Sequence, residues 1–288
     1  MPKVSVIMPC YNQGRYIEEA VTSVLSQTFQ DFEVIIVNDG STDPDTIETL
    51  ESFDKPKCRV IHTANQGLAD ARNSGIREAS GEYILPLDAD DRIGSTYLEK
   101  AVRLLDEQPN VGIVYCEAEF FGEESGRWEL PPYRFPDVLL GNYIFCSAFF
   151  RKADWANTPG YQVICGGWED YDFWLSLIEI GREVIRIPEV LFFYRRMSGS
   201  MIKTMTREEQ LVAHSRIFHN HRELYSQNIQ FLFSELFRLN EALKEMSILQ
   251  RKQTETINQM QNNAVWKLYE RCVRLKYSLL QKLINESS

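Results

Sequence analysis

Three aspartates within four positions end the apolar run Leu85-Pro-Leu-Asp-Ala-Asp-Asp91. Carboxylates crowded at a strand terminus repel one another and raise each other's pKa unless something neutralises them. Hard divalent cations, Mg²⁺ or Mn²⁺, take oxygen ligands and keep positions open for substrate phosphates. Helix capping by Asp90 or Asp91, ahead of a helix starting near Ser95, accounts for one aspartate but not three. A second cluster, Gly166-Gly-Trp-Glu-Asp-Tyr-Asp172, joins a diglycine, an aromatic and three acids just before a helix over Phe173–Ile180. Acids are favoured in a helical first turn, which explains Asp170 or Asp172 singly. Trp168 beside paired acids points further, because an aromatic ring stacks on a sugar and excludes water. Two weaker features are the turns Pro9-Cys-Tyr-Asn-Gln-Gly14 and Asn38-Asp-Gly-Ser41, each following an apolar run.

The elements that must hold these residues alternate. Val4–Met8, Phe32–Val37, Cys58–Ile61 and Tyr83–Leu87 read as short buried strands. Between them, Arg15–Gln27, Asp45–Phe53 and Leu68–Ala79 carry helical spacing. Strands alternating with helices indicate an α/β fold, a mostly parallel sheet flanked by helices. Right-handed crossovers then gather the strand-to-helix loops at the carboxyl edge, where ligands bind.

Composition narrows the function classes. The 288 residues are 44% apolar and 25% charged, which excludes disordered, collagen-like and disulfide-scaffold chains. A net charge of −10 argues against a nucleic-acid binder. No CxxC or HExxH occurs, so no zinc or redox motif can be written, and His219 and His221 read as surface residues of a helix. No GxxxxGK[ST], GxGxxG or GxSxG is present, which removes the usual support for ATPase, dinucleotide dehydrogenase and serine hydrolase readings. Reduced cysteines and the lack of a signal-like apolar segment point to the cytoplasm.

Charge and composition shift along the chain. Residues 205–288 carry 12 Lys/Arg and 9 Asp/Glu, and no proline or glycine follows Gly199. The expected organisation is therefore a catalytic domain over 1–204 and an all-helical extension over 205–288. Within the extension, Tyr225, Ile229, Leu232, Leu236, Leu239, Leu243 and Met246 follow heptad steps that continue to Ala264. Two fates fit this seam equally: a coiled coil in a homo-oligomer through 225–264, or packing on the globular domain. Beyond it, Trp266, Tyr269, Val273, Leu280 and Leu283 alternate with Lys267, Arg271, Arg274, Lys276 and Lys282. Such a helix suits peripheral contact of 264–288 with the inner face of a membrane, or a plain solvated surface.

Taken in order, the motifs resemble those of inverting family 2 glycosyltransferases with a GT-A, Rossmann-like fold. The matching segments are Val4–Asn12, Val34–Asp43, Asn65–Asn73, Leu87–Asp91 and Trp168–Asp170, spread over about residues 1–200. The resemblance implies a metal-dependent enzyme that moves a sugar from a nucleotide-sugar donor, UDP- or dTDP-linked, to a saccharide or lipid-linked acceptor of cell-surface polysaccharide or glycolipid. It implies that Pro9, Tyr11 and Asn12 line the nucleotide pocket and that Asp39 accepts from the pyrimidine. Arg72 would lie by the diphosphate or brace the aspartates. Asp88 would face ribose or metal and Asp90 bind the Mg²⁺ or Mn²⁺. Asp170 would be the catalytic carboxylate, with Trp168 and Glu169 beside it in the acceptor or sugar pocket. One departure stands out: members often close the site with Tyr-Arg-x-His and Gly-Ser, whereas here Tyr194-Arg-Arg-Met-Ser-Gly-Ser200 has Met197 at the histidine. That makes the metal requirement less secure and leaves Arg195 or Arg196 as a phosphate contact. The alternatives are a nucleotidyltransferase, whose Gly- and Arg-rich first loop Pro9–Gly14 lacks, and a non-catalytic scaffold using the helical tail.

Overall fold

The computed structural model describes residues 1–197, 205–262 and 264–286. The chain forms two compact units, Met1–Gln227 and Asn228–Ser288. The division expected at 204/205 falls at the edge of 198–204, outside the described residues, as do Ser198, Gly199 and Ser200 of the closing segment.

The first unit opens with β1 (Val4–Cys10), α1 (Gly14–Leu25), β2 (Phe32–Asp39), α2 (Pro44–Glu51), β3 (Cys58–Thr63), α3 (Leu68–Glu78) and β4 (Tyr83–Pro86). β1 pairs in parallel with β2 and β4, and β2 with β3. All of β1, and all of β2 except Glu33, is buried, as a parallel strand covered on both faces requires. Helix α3 lies close on this layer through small residues. A Cβ on Gly75 would come within 2.4 Å of Ile7 Cγ2, so the approach depends on glycine.

The second half is built from β5 (Arg92–Ile93), α4 (Tyr97–Glu107), β6 (Val111–Gly122), β7 (Gly126–Trp128), β8 (Phe149–Arg151), α5 (Lys152–Ala156), α6 (Glu169–Glu179) and β9 (Glu183–Arg196). Strand order is β3-β2-β1-β4-β8-β6-β9-β5, with β7 beside β6. The longest ladder here, β6 with β9, is parallel, while β8 runs antiparallel between β4 and β6 and β5 antiparallel to β9. This gives the α/β sheet with flanking helices that the alternation predicts, with antiparallel strands added on one side. The loops after β1, β2 and β4 meet at one carboxyl edge.

Two more helices complete this unit, α7 (Arg207–Asn220) and α8 (Arg222–Gln227). Ala213, Ile217, Leu224 and Tyr225 are buried. His219 is exposed as expected, but His221 is not: only 3% of it is accessible. Its ring nitrogens lie 3.1 Å from Asp172 and 2.9 Å from Glu179 on α6. Burial lowers its pKa, but the hydrogen bonds to Asp172 and Glu179 outweigh this and raise it to about 9. The heptad pattern counts Tyr225 as a seam residue, yet its hydroxyl lies 3.5 Å from that of Tyr171 within the first unit.

The second unit is helical, α9 (Ile229–Asn262, 34 residues) and α10 (Ala264–Glu286). Seam residues Leu236, Leu239, Leu243 and Met246 are exposed, Met246 by 67%. Among the described residues no helix is long and apolar enough to cross a membrane.

Candidate active site

Two cavities open side by side at the carboxyl edge of the sheet. The first, about 470 Å³, has Pro9, Tyr11, Asp39, Asp88, Asp90 and Arg195 in its walls. The second, about 280 Å³, is walled by Arg72, Asp88, Cys146, Trp168, Glu169 and Asp170, among others. Asp88, Leu68 and Tyr194 belong to both, so the cavities meet at the first aspartate of the cluster. Of the residues singled out by sequence, Asp91, Asp172 and Arg196 line neither, nor does Asn12. Its Oδ1 accepts from the Thr42 and Asp43 N–H groups at 2.8 and 2.9 Å, and its Nδ2 donates to Thr42 Oγ1. Asn12, at φ 55°, therefore ties the loop after β1 to the loop after β2.

Asp39 ends β2 and is nearly inaccessible at 4%. Its carboxylate accepts from the Gln66 and Gly67 N–H groups at 3.1 and 2.9 Å and from the Thr63 hydroxyl at 3.2 Å. These bonds fix the entry to α3 beside the first cavity. From α3 the fully buried Arg72 reaches between the cavities, donating to Asp88 Oδ1 at 2.8 Å and Glu169 Oε1 at 2.6 Å. Burial opposes its charge, but Asp88 and Glu169 hold the guanidinium firmly protonated.

The other aspartates of the cluster have no such partner. Burial and then the Asp88 charge push Asp90 up to about 6. Asp91 is pushed well above the usual carboxylate range by burial and by its two neighbours. Its Oδ1 accepts from the Arg195 N–H at 2.7 Å, while Oδ2 is buried without a hydrogen-bond partner. Neither caps the next helix, whose N-cap is Thr96. Asp88, Asp91 and Cys146 each bring one potential ligand atom within 4.8 Å of the others. An orphaned buried oxygen and carboxyls held from ionising fit a divalent cation, which would relieve both. Cys146 had no sequence signal, being one cysteine of six without a motif.

Gly166 and Gly167 take φ of 76° and 80°, a left-handed pair that turns the chain into α6. A Cβ on Gly166 would meet Met205 at 2.2 Å. This turn makes Trp168 the N-cap residue and puts Asp170 in the first turn, not at the cap. Asp170 is 8% exposed and accepts from Asn142 Nδ2 at 3.2 Å. Burial and then Glu169 push its carboxyl up to about 7. The Trp168 ring lies tilted against that of His214 on α7, with centroids 4.6 Å apart.

At the closing segment the two arginines part. Arg195 lines the first cavity, its Nε donates to the Asp90 carbonyl at 2.8 Å, and it lies over Tyr16 and Phe121. It also pairs with Glu19. Arg196 donates to Glu124 and lies over Phe120. Met197 lines the same cavity as Arg195 and accepts from the Tyr16 hydroxyl at 3.0 Å.

A parallel α/β half, an acidic cleft at its carboxyl edge and a second carboxylate cavity alongside define a GT-A fold with a helical tail. The model of the "Glycosyl transferase family 2" family matches residues 5–167, and the chain belongs to that family. It is 42% identical over 225 residues to the uncharacterized glycosyltransferase EpsJ of Bacillus subtilis, covering 70% of this chain and 63% of that protein. The chain thus spans less than two thirds of that relative's length. Among solved structures it is similar in fold to S. aureus TarS 1-349 in complex with UDP-GlcNAc (TM-score 0.59, 20% identity, 80% of this chain and 73% of that one). It is also similar to the mannosyltransferase PcManGT from Pyrobaculum calidifontis in complex with GDP-Man and Mn²⁺ (TM-score 0.58, 22% identity, 93% and 83%).

Proposed function

We propose that this protein transfers a sugar from a nucleotide-diphosphate donor, UDP- or dTDP-linked, to a hydroxyl of a saccharide or lipid-linked acceptor, inverting the anomeric carbon, in the assembly of cell-surface polysaccharide or glycolipid. The observation that carries the reading is two cavities joined at Asp88, one suited to a nucleotide and one ending in Asp170. Asp39 accepts three hydrogen bonds from the protein. A carboxylate has about four acceptor sites, which leaves one for a pyrimidine N–H. Pro9 and Tyr11 flank the base, and Asn12 acts through the loops it joins. Arg72 holds Asp88 at the junction while fixing Glu169.

Asp88 and Asp90 would hold Mg²⁺ or Mn²⁺, although the ligand atoms that lie together are those of Asp88, Asp91 and Cys146 and do not include Asp90. The cation would stabilise charge developing on the diphosphate leaving group. Arg195 takes the phosphate contact that histidine makes in the family pattern, since it lines the donor cavity and Arg196 does not. Asp170 removes the proton from the attacking acceptor hydroxyl. A carboxyl raised toward neutrality by burial is a stronger base than an exposed one, and it needs only one partner for a single inversion. Trp168 supplies an apolar face for the sugar.

A donor screen by nucleotide release, with and without Mn²⁺ and Mg²⁺, tests this. Expected is release of a nucleoside diphosphate from one donor class, faster with metal. Pyrophosphate released when a nucleoside triphosphate and a sugar 1-phosphate are supplied instead would support the nucleotidyltransferase, and silence toward every donor with acceptor present would support the scaffold. For the tail we propose self-association through the exposed α9 seam. α9 carries four basic and four acidic residues, so identical copies meet without net repulsion. Replacing Leu236 and Leu243 together by Glu should then reduce the sedimenting mass without altering the melting of the first unit; an unchanged mass removes the proposal.

A further inference from the structure

The surplus positive charge of the tail is confined to one helix. α9 is charge-balanced, whereas the 23 residues of α10 hold five Lys/Arg and two Asp/Glu. By helical periodicity Trp266, Tyr269, Val273 and Tyr277 share one arc, with Lys276 at one edge and Glu270 at the other, while Lys267, Arg271 and Arg274 group on a separate arc beyond Glu270. The arc is exposed: Trp266 is 42% accessible, Tyr269 60% and Tyr277 66%. A soluble surface helix has no reason to expose two tyrosines and a tryptophan together on one arc. A second copy is a poor occupant for this helix, because bringing two of them together doubles an unbalanced positive charge.

We propose that α10 docks on an anionic lipid surface, its apolar arc entering the headgroup boundary and Lys267, Arg271 and Arg274 meeting lipid phosphates. Charge complementarity selects this occupant. The region before the tail is strongly acidic, and an anionic bilayer repels it; α10 is the element whose charge has the opposite sign and whose exposed face is apolar and aromatic. Tryptophan and tyrosine favour the level where one end of the ring is wet and the other apolar. Each basic side chain near an anionic leaflet contributes about 1 kcal/mol, so three give affinity that salt erodes.

The test is co-sedimentation of the full chain with vesicles of phosphatidylcholine alone or mixed with phosphatidylglycerol. Expected are at least about tenfold tighter binding to the anionic vesicles, loss of it at high salt, and a blue shift of tryptophan emission that disappears in Trp266→Phe. The triple replacement of Lys267, Arg271 and Arg274 by Glu should lower binding by about a hundredfold. Nucleotide release from soluble donor in that variant should stay at the wild-type rate, and an unchanged far-ultraviolet circular dichroism should show the helix retained. Equal binding to both vesicle types, no binding to either, a charge reversal without effect, or an α10-dependent dimer that excludes vesicles overturns the proposal. None of these outcomes bears on the transfer reaction, which is read from released nucleotide.

Discussion

At the scale of single residues, two aspartates lead to opposite kinds of evidence. Asp170→Asn keeps shape and can still accept from Asn142, but it cannot take a proton. Donor affinity should persist while transfer falls by roughly 10²–10⁴-fold, the usual range for loss of a general base. The same substitution should stabilise the metal-free protein at pH 8. The folded carboxyl titrates near 7 and the unfolded one near 3.8, so ionising it costs stability as pH rises between them. About three pKa units set an upper bound of about 4 kcal/mol, read as a higher melting temperature. A rate and a melting curve both unchanged would leave Asp170 only its place in the first turn of α6. For Asp90→Asn the expectation is near-complete loss of donor turnover with the fold intact, checked by nucleotide release and circular dichroism; wild-type turnover would falsify its metal role. These two residues were legible because carboxylates crowded near a strand end and beside a tryptophan have few structural uses. Cys146 and Asn142 were not, since a lone thiol or amide carries no pattern until the fold brings it to the site. Asn12 shows the limit of the motif itself, its side chain being spent on Thr42 and Asp43.

Elements were legible where burial is two-sided. β1 and β2 are continuous apolar runs closed by turn residues, and α1 and α3 show one apolar stripe each, so the first half of the sheet could be drawn from sequence. β5 has two residues and β7 and β8 three each, too short for any period. β6 and β9 pair across more than seventy positions of chain with register shifts between Cys116 and Ala118, so neither declares its partner. His221 was misjudged for a related reason. It follows α7 in a polar stretch, and only the packing of α7 and α8 on α6 buries it. Its folded pKa, about 9, lies above the ordinary 6.5, so its contribution is complete below about 6.5 and fades as pH rises through 9. The shift caps that contribution at about 3 kcal/mol. The melting temperature should therefore fall between pH 6.5 and 9, and His221→Gln should flatten that fall while lowering stability at pH 6. A wild-type profile as flat as the variant's would mean that the bonds to Asp172 and Glu179 carry no charge.

For the whole molecule the question is where the working unit ends. Composition changes near residue 204, where proline and glycine cease and acidic excess gives way to basic. The compact unit runs on to Gln227. The two positions differ because composition records what a segment is made of, and compactness records what it buries. α7 and α8 are charged and glycine-free like the tail, yet they bury Ile217, Leu224 and Tyr225 and place His221 and Asn220 against Asp172. Side chains of that size contribute roughly 1.5–3 kcal/mol each when fully buried. Cutting the chain after residue 204 also leaves the buried Asp172 without its His221 and Asn220 partners, beside Glu169 and Asp170 on the same helix. We expect that truncation to lower the melting temperature by roughly 10 °C or more, and to impair donor turnover because α6 carries the proposed base. Cutting after Gln227 removes helices whose described apolar residues are mostly exposed, so melting and donor turnover should match the full chain. Equal melting of the two truncated proteins would return the boundary to residue 204 and make α7 and α8 part of the tail.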